Sequence, residues 1–359
     1  MSLTANCSFD LNVSSDYKGK RTGYIQIGDS TNNSGWANHC VPITSIKNGS
    51  GPRVLVLAGN HGDEYEGQTA ALDLARRVEV ADIKGELIII PVLSLQASAA
   101  GTRLWPTGQN FNRIFPGKVD GTVAEKLAFF LSQDLFPTCD SVVDMHSGGR
   151  SMYFIPSTTM AWVSRVDLRD EMIRQNLLWK TEFNMIGGEQ PSTNPDSLLP
   201  GDVIRQGKGI ATGEFGGSGV TTAQSMAVIN NGLENYLRGM GVYVGKDGAA
   251  SDRAESTEKA TKIIDFIDPL SFSTALCDGI YENRVDLHEH VKAGDVVGLI
   301  HNFKSADNEV VEVLARRSGM VALIRGYSPV TTGDVVCTVG DLFPNIEAFE
   351  KSIQGKSAR

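Results

Sequence analysis

Cysteines, basic runs and long hydrophobic stretches are scarce in this sequence, and each shortage argues against a class of protein. The 359 residues include five cysteines, which lie far apart and form no Cys-x-x-Cys pair. This pattern is typical of reduced thiols in a cytoplasmic protein and argues against a disulfide framework or a cysteine zinc site. The formal net charge is −9 and no run of five basic residues occurs, so a nucleic acid partner is not expected.

The hydrophobic runs are too short for a membrane protein. The longest nearly apolar run is Leu87–Leu95, which Pro91 interrupts and which falls far short of the ~20 residues that span a bilayer. The N-terminal residues lack a basic start followed by an apolar core, so a secretory signal is not expected. Glycine is abundant, with 38 residues, which suits an α/β enzyme with many tight loops.

Apolar runs alternate with segments of helical periodicity between residues 53 and 215. Strands that are buried on both faces contain such continuous runs, so the alternation predicts an α/β fold with a mixed, mostly parallel sheet and helices on both faces. The predicted strands are Gly23–Gly28, Cys40–Ile46, Arg53–Ala58, Glu86–Leu93, Ser141–Met145 and Gly209–Phe215, and the predicted helices are Glu64–Val78 and Thr122–Phe136.

The character of the chain changes near residue 245. The segment Lys246–Ala260 is polar, charged and rich in small residues, which predicts a linker or surface loop. Short β-like runs separated by glycine turns follow it. We therefore predict an α/β domain over residues 1–245, and a linker with a smaller all-β domain, a β-sandwich or half-barrel, over residues 246–359.

The segment Ala58–Gln68 contains the first candidate site. His61 and Glu64 lie three residues apart, directly after a predicted strand and at the start of a predicted helix. Residues at this spacing share a helix face and can converge on one cation, and ligands of open α/β sheets bind beyond the carboxyl ends of strands. Acidic residues are also common in a first helical turn, so this motif alone leaves both interpretations open.

His146 follows another predicted strand and precedes a Ser-Gly-Gly turn. Alone it is equally compatible with an ordinary loop histidine. Together with His61 and Glu64 it completes a set of two histidines and one glutamate, which is typical of a catalytic zinc site with an open position for water. Asp144 alternates with His146 along the strand and is a candidate partner for its ring.

Two further segments carry polar side chains suited to hydrolysis. Glu214 ends a short apolar run before a glycine-rich turn, where it could serve as general base or simply be a solvated glutamate. The loop Gly101–Gly117 contains Arg103 and Arg113, which could bind a carboxylate bidentately or lie on the surface.

Four motifs occur in the order NHGDE, NFNRIFPG, DMHSGG and GEFGG. This combination resembles the succinylglutamate desuccinylase/aspartoacylase family of the zinc carboxypeptidase-like superfamily. The resemblance covers roughly residues 53–219 with good motifs, and the β-rich segment after them more loosely. Within the family, the chain resembles the N-acetyl-diaminobutyrate deacetylases.

The resemblance implies a zinc-dependent deacylase with one Zn²⁺ per chain. By resemblance, the zinc ligands are His61, Glu64 and His146, the catalytic base and acid is Glu214, Arg103 polarises the scissile carbonyl, and Asn112 with Arg113 holds the substrate carboxylate. The family usually has an acidic residue two positions before that asparagine, whereas this chain has Asn110. The departure puts hydrogen bonding on the substrate side in question and leaves the metal site untouched.

The implied substrate is a small N-acyl amino acid, with N-acetyl-diaminobutyrate as the narrower option. A metallocarboxypeptidase acting on peptide C-termini is the first alternative, and an open groove would favour it. The second alternative is a non-catalytic metal-binding protein of the same fold. Such a protein should lack a metal ligand or Glu214, but this chain has all four residues. His288 and His290 form a His-x-His pair that fits an exposed strand face or turn better than a metal site.

The sequence is compatible with a homo-oligomer. It does not specify which acyl group is removed or from which amino acid.

Overall fold

The computed structural model describes residues 5–12, 16–188, 194–245, 260–304, 307 and 309–357. The helices are α1 (Tyr65–Arg77), α2 (Leu95–Ala100), α3 (Val123–Phe130), α4 (Val166–Leu177), α5 (Leu199–Arg205), α6 (Ala223–Gly239) and α7 (Ile346–Ser357). Within the described part of the chain, no helix has both the length and the apolar character needed to cross a bilayer.

Strands alternate with these helices in the first half of the chain and dominate the second half. They are β1 (Asn6–Cys7), β2 (Gly19–Thr31), β3 (Ser34–Asn48), β4 (Arg53–Ala58), β5 (Gly85–Ile90), β6 (Ser141–His146), β7 (Met152–Phe154), β8 (Ser157–Ala161), β9 (Phe183–Gly187), β10 (Ile210–Glu214), β11 (Lys262–Phe266), β12 (Phe272–Thr274), β13 (Gly279–Asn283), β14 (His290–Val291), β15 (Val296–His301), β16 (Val311–Leu314), β17 (Gly319–Arg325), β18 (Pro329–Val330) and β19 (Val335–Phe343).

A large mixed sheet forms the centre of the fold. Its strand order is β1-β2-β3-β5-β4-β6-β10-β8-β9-β11-β19-β17-β14, with β12 paired to β19 and β7 to β17. The pairings are parallel from β5 through β4 and β6 to β10, and again from β8 through β9 to β11. Antiparallel pairings join these two parallel blocks and flank them. The predicted α/β class with a mixed sheet is confirmed.

Helices cover both faces of the sheet because its central strands are apolar on both sides. Along β4, every residue is buried. Val54 and Val56 pack with residues of α1 and α6 on one face, whereas Leu55 and Leu57 pack with residues of α3 on the other. Burial of each such side chain contributes about 1.5–3 kcal/mol, so the two layers of helices hold these strands in the interior.

A small antiparallel sheet with the order β16-β15-β13-β18 lies in the C-terminal part of the chain. It shares an apolar core with residues of β17 and β19, although both of those strands belong to the large sheet. The chain after residue 260 therefore contributes to both sheets. The predicted linker lies outside the described residues except for Ala260, and the domain boundary at residue 245 stays a prediction.

The topology brings three chain segments to one place. Strands β4, β6 and β10 are parallel neighbours, with β6 in the middle. Their carboxyl ends therefore meet at one edge of the sheet, where open α/β sheets bind their ligands. The histidine and glutamate motifs described above lie at these three ends, where His146 is the last residue of β6 and Glu214 is the last residue of β10.

Candidate metal centre and catalytic pocket

Glu64 bridges the two histidines that the sequence singles out. Its Oε1 lies 2.7 Å from His61 Nδ1, and its Oε2 lies 2.8 Å from His146 Nδ1. All three side chains are buried, and one ligand atom from each lies within 4.8 Å of the others. Among the described residues, this is the one group of three with the geometry for a shared metal ion.

The loop between β4 and α1 is shaped by two glycines. Gly59 has a φ of +69°, a left-handed conformation that favours glycine, and lets the chain turn sharply after β4. At Gly62, a Cβ atom would lie 2.2 Å from the carbonyl carbon of Ala97, so no larger residue fits. Glu64 occupies the N-cap of α1 without capping it through its side chain, and the carboxylate is free to face the two imidazoles.

The outer nitrogen of each imidazole is held by an oxygen acceptor. His146 Nε2 lies 2.8 Å from Asp144 Oδ2, and His61 Nε2 lies 3.1 Å from Asn110 Oδ1. When each Nε2 donates its proton to that oxygen, both Nδ1 lone pairs face the Glu64 carboxylate. Nitrogen and oxygen acceptors then converge without a proton between them, and histidine ligands of metal ions show this arrangement. The residues therefore fit a divalent metal ion.

The pKa shifts of Glu64 and His146 also indicate that a positive charge is favoured at this position. Burial alone would raise the pKa of Glu64, but the two imidazoles outweigh it and hold this pKa well below its usual value. Burial lowers the pKa of His61. For His146, burial also opposes the charged form, but Asp144 and Glu64 hold the pKa well above its usual value. Without a metal ion, a proton on His146 balances the carboxylates.

Arg103 reaches the same carboxylate from the side open to solvent. Its Nη1 donates to Glu64 Oε1 at 3.0 Å, and 38% of its side chain is exposed. The guanidinium thus joins the buried cluster to the mouth of the pocket. In this position it can contact both Glu64 and a bound ligand.

The second arginine lies in a 3₁₀ turn over Phe111–Arg113. Arg113 is exposed, and its Nη1 donates to the carbonyl of Asn112 at 2.7 Å. Asn112 is buried, and its Oδ1 accepts the backbone N–H of Leu199 at 2.8 Å. This leaves the amide nitrogen of Asn112 and the guanidinium of Arg113 as donors for an anionic ligand.

Glu214 ends β10 directly beside the metal cluster, in register with His146 on β6. Its Oε2 is buried and has no hydrogen-bond partner in the described part of the chain. Burial, followed by the negative charge of Glu64, raises the pKa of Glu214 to about 8. A carboxyl group that titrates near neutral pH can both accept and donate a proton during a reaction.

All seven residues that the sequence predicts for the site line one pocket of about 230 Å³. The geometry gathers them, and their individual roles stay predictions. The pocket has six further lining residues that sequence reasoning missed: Ser147, Met152, Thr159, Leu198, Pro200 and Thr212. Thr212 could have been found, because it alternates with Glu214 on one face of the same strand. His288 and His290 are exposed elsewhere on the chain.

Comparison with known proteins gives consistent matches over nearly the whole chain. The family model described as the succinylglutamate desuccinylase/aspartoacylase catalytic domain matches residues 50–240. The N-alpha-acetyl-L-2,4-diaminobutyric acid deacetylase of Halomonas elongata is 30% identical over 329 residues, which are 91% of this chain and 93% of that protein.

Solved structures match equally well. The product-bound structure of the ectoine utilization protein EutE (DoeB) from Ruegeria pomeroyi has a TM-score of 0.87 and 30% identity, and the match covers 95% of this chain and all of that one. A succinylglutamate desuccinylase from Silicibacter sp. TM1040 has a TM-score of 0.85 and 30% identity, over 94% of this chain and 98% of that one.

Proposed function

The chain belongs to the succinylglutamate desuccinylase/aspartoacylase family, and from this premise we propose that it is a metal-dependent hydrolase that removes the acyl group from an N-acyl amino acid. The observation that carries the proposal is the Glu64 carboxylate bridging two buried imidazoles, with Glu214 in register beside His146. A metal ligand set next to a carboxyl group with an unpartnered oxygen is well suited to amide hydrolysis by water.

The proposed cofactor is one zinc ion, held by His61, Glu64 and His146. Two histidines and a glutamate form a known catalytic zinc set, and the oxygen acceptors behind both imidazoles support the assignment. When bound, zinc supplies Lewis-acid polarisation of a carbonyl and activation of water.

Glu214 is proposed to move the proton. Its carboxylate accepts a proton from the attacking water and returns it to the nitrogen of the leaving amine. The buried, unpartnered Oε2 and the pKa of about 8 support this role. A positioned acid–base group of this kind typically contributes about 10²- to 10⁴-fold in rate.

The loop Gly101–Gly117, which we call the arginine loop, is proposed to bind and orient the substrate. Arg103 lies beside Glu64, where its guanidinium can stabilise the negative charge that develops on the scissile carbonyl oxygen. One such donor is often worth about 3–4 kcal/mol in the transition state. Arg113 and the amide nitrogen of Asn112 are proposed to hold the substrate carboxylate, because a guanidinium and an amide both donate to such an anion.

The proposed substrate is N-acetyl-2,4-diaminobutyrate, for which the deacetylase from Halomonas elongata is named. The pocket volume of about 230 Å³ also supports a small substrate, since drug-sized ligands occupy roughly 300–1,000 Å³. It favours a deacylase over a carboxypeptidase that accommodates a peptide. We further propose a cytoplasmic location, because all five cysteines are free thiols.

The test is a panel of N-acetyl, N-formyl and N-succinyl amino acids, incubated with the zinc-loaded protein and assayed for released amine. A set of dipeptides provides the comparison for carboxypeptidase activity. We expect release of amine from N-acyl amino acids and none above background from dipeptides. Turnover of the dipeptides alone would overturn the proposal, and so would zinc binding without turnover of any member of the panel.

A further inference from the structure

Two threonine hydroxyls form a hydrogen-bonded pair on the wall of the pocket. Thr159 on β8 and Thr212 on β10 are direct partners across an antiparallel pairing. Thr212 Oγ1 donates to the carbonyl oxygen of Thr159 at 2.7 Å, and the two hydroxyl oxygens lie 3.0 Å apart. Because a hydroxyl has one proton and that of Thr212 goes to the carbonyl, the proton between the hydroxyls belongs to Thr159.

Both hydroxyl protons are therefore used within the pair, and only oxygen lone pairs remain for a ligand. Both threonines are half-buried and line the same pocket as the metal cluster. A group that can only accept hydrogen bonds matches a ligand group that donates them. A carboxylate or a carbonyl oxygen, which are acceptors themselves, would find no donor here.

The strand register fixes where this pair lies relative to the reaction. On β10, Glu214 pairs with His146, and Thr212 pairs with Asp144 one row further from the strand end. The two rows are two residues apart on the same face of the sheet, a separation on the order of 7 Å. A short aliphatic side chain extending from the α-carbon of an N-acyl amino acid can span that interval.

The charged side chains of the pocket determine the orientation of a bound ligand. Arg103 and Arg113 are the cations of the described lining: Arg113 suits the α-carboxylate, and Arg103 lies beside Glu64, where it suits the scissile carbonyl. Glu64 and Glu214 are committed to the metal cluster and to proton transfer. We propose that Thr159 and Thr212 form a subsite for a terminal amino group, which makes the substrate an N-acyl amino acid with a second amine on a short side chain. The orientation of the ligand in this subsite rests on the proposed function. The name of the Halomonas relative indicates a substrate with a second amine but not the residues that bind it.

The test measures binding of the product rather than turnover. Isothermal titration calorimetry compares 2,4-diaminobutyrate with 2-aminopentanoate, in which a methyl group replaces the terminal amine. The zinc-loaded wild-type protein is expected to bind the diamino acid about 10- to 100-fold more tightly, as for one hydrogen bond to a charged group. Thr159→Val should reduce that preference, because only the hydroxyl oxygen of Thr212 then remains to accept from the amine, and should leave the affinity for 2-aminopentanoate unchanged. Thr159→Ser, which keeps the hydroxyl, should retain the full preference.

Equal binding of both amino acids by the wild-type protein would overturn the subsite, as would a preference that is undiminished in Thr159→Val. Loss of affinity for both amino acids in that variant would also overturn it, because the effect would then be structural. If the preference holds but no N-acyl amino acid is hydrolysed, the proposed function fails and the subsite stands. If acetylated forms of both amino acids are hydrolysed with equal kcat/KM and bind equally, the subsite fails and the proposed function stands.

Discussion

Asn110 Oδ1 lies 3.1 Å from His61 Nε2 and also accepts the backbone N–H of Asn112 at 3.0 Å. One amide oxygen thus joins the 3₁₀ turn of the arginine loop to an imidazole of the proposed metal centre. The other imidazole is held by the carboxylate of Asp144. Contrary to the expectation from the sequence, the departure from the family's acidic residue therefore lies on the metal side of the pocket, where a neutral amide contacts His61.

Removal of this amide should weaken metal binding. Loss of a partner behind a histidine ligand typically costs 10- to 100-fold in metal affinity, and we expect Asn110→Ala to show a loss of about that size. Asn110→Asp keeps an oxygen acceptor for both contacts and should bind zinc at least as well as the wild-type protein. Competition with a chromogenic chelator measures both affinities. Wild-type zinc affinity in Asn110→Ala would show that the contact does not orient His61.

Loss of a proposed ligand should remove the metal itself. His61→Ala deletes one of the two buried imidazoles beside Glu64, so the remaining ligand set is incomplete and zinc binding should fall below one ion per chain. His288→Ala is the matched control, because that histidine is exposed and outside the cluster. Elemental analysis after zinc loading and dialysis gives the stoichiometry. One zinc per chain in His61→Ala would reject this residue as a ligand.

Glu214→Gln should separate catalysis from metal binding. The amide has nearly the same shape as the carboxyl group but cannot accept the proton of a water molecule, so kcat should fall by about 10²- to 10⁴-fold. Zinc content should stay at the wild-type level, because Glu214 is not among the three ligand candidates. Steady-state kinetics on the best N-acyl amino acid, together with elemental analysis, provide the measurement. Near-normal turnover in this variant would remove Glu214 from the mechanism.

The same substitution should change how the stability of the metal-free protein depends on pH. Glu214 has a pKa of about 8 in the folded protein against a usual value of 4.5. Between these values the folded state binds a proton that the unfolded chain has released, so the free energy of unfolding falls as pH rises. Glutamine does not titrate, and Glu214→Gln should lose this part of the decline.

Urea unfolding of the chelator-treated proteins at several pH values between these two pKa values tests the expectation. The variant should gain most over the wild-type protein at the alkaline end of the series, while groups shared by both proteins cancel in the difference. A difference that is constant with pH would mean that Glu214 is already ionised in the folded state.

The central strands could be predicted from the sequence because their signal is local. The predicted strand Arg53–Ala58 agrees with β4 at both ends, since a continuous apolar run lies between Pro52 and Gly59. The predicted strand Glu86–Leu93 was too long, and β5 ends at Ile90. Pro91 lacks the backbone N–H that a central strand must donate.

The sequence predicts one regular helix over Thr122–Phe136, but the structure shows more than one helical conformation there. Thr122 caps α3, but the regular helix ends at Phe130 and continues as a π-helical turn over Leu131–Leu135. The hydrophobic stripe is similar in both conformations, so side-chain periodicity does not distinguish them. A 3₁₀ turn over Phe136–Thr138, which contains Pro137, follows directly.

The metal side of the pocket could be predicted because its residues lie at the ends of parallel strands. His61, His146 and Glu214 come together because β4, β6 and β10 are neighbours whose carboxyl ends share an edge. Thr159 was missed because β8 is short and rich in threonine, and it lies between β10, to which it is antiparallel, and β9, to which it is parallel. That pairing is set by contacts between distant segments of the chain, which local patterns do not specify.

Gly62 should be intolerant of even one added methyl group. A Cβ atom there would lie 2.2 Å from the carbonyl carbon of Ala97 and 2.4 Å from the backbone nitrogen of Ser98. Backbone atoms of α2 cannot yield as a flexible side chain can, so Gly62→Ala must displace the loop that carries His61 and Glu64. Overpacking of this kind typically costs 1–3 kcal/mol. We expect the free energy of unfolding of Gly62→Ala to fall by about that amount and zinc binding to weaken.

Gly28→Ala is the matched control, because nothing lies within 4 Å of its Cβ position. It should change the free energy of unfolding by less than about 0.5 kcal/mol. Urea unfolding of both variants makes the comparison, and equal stability of the two would show that the close approach of this loop to α2 is not required.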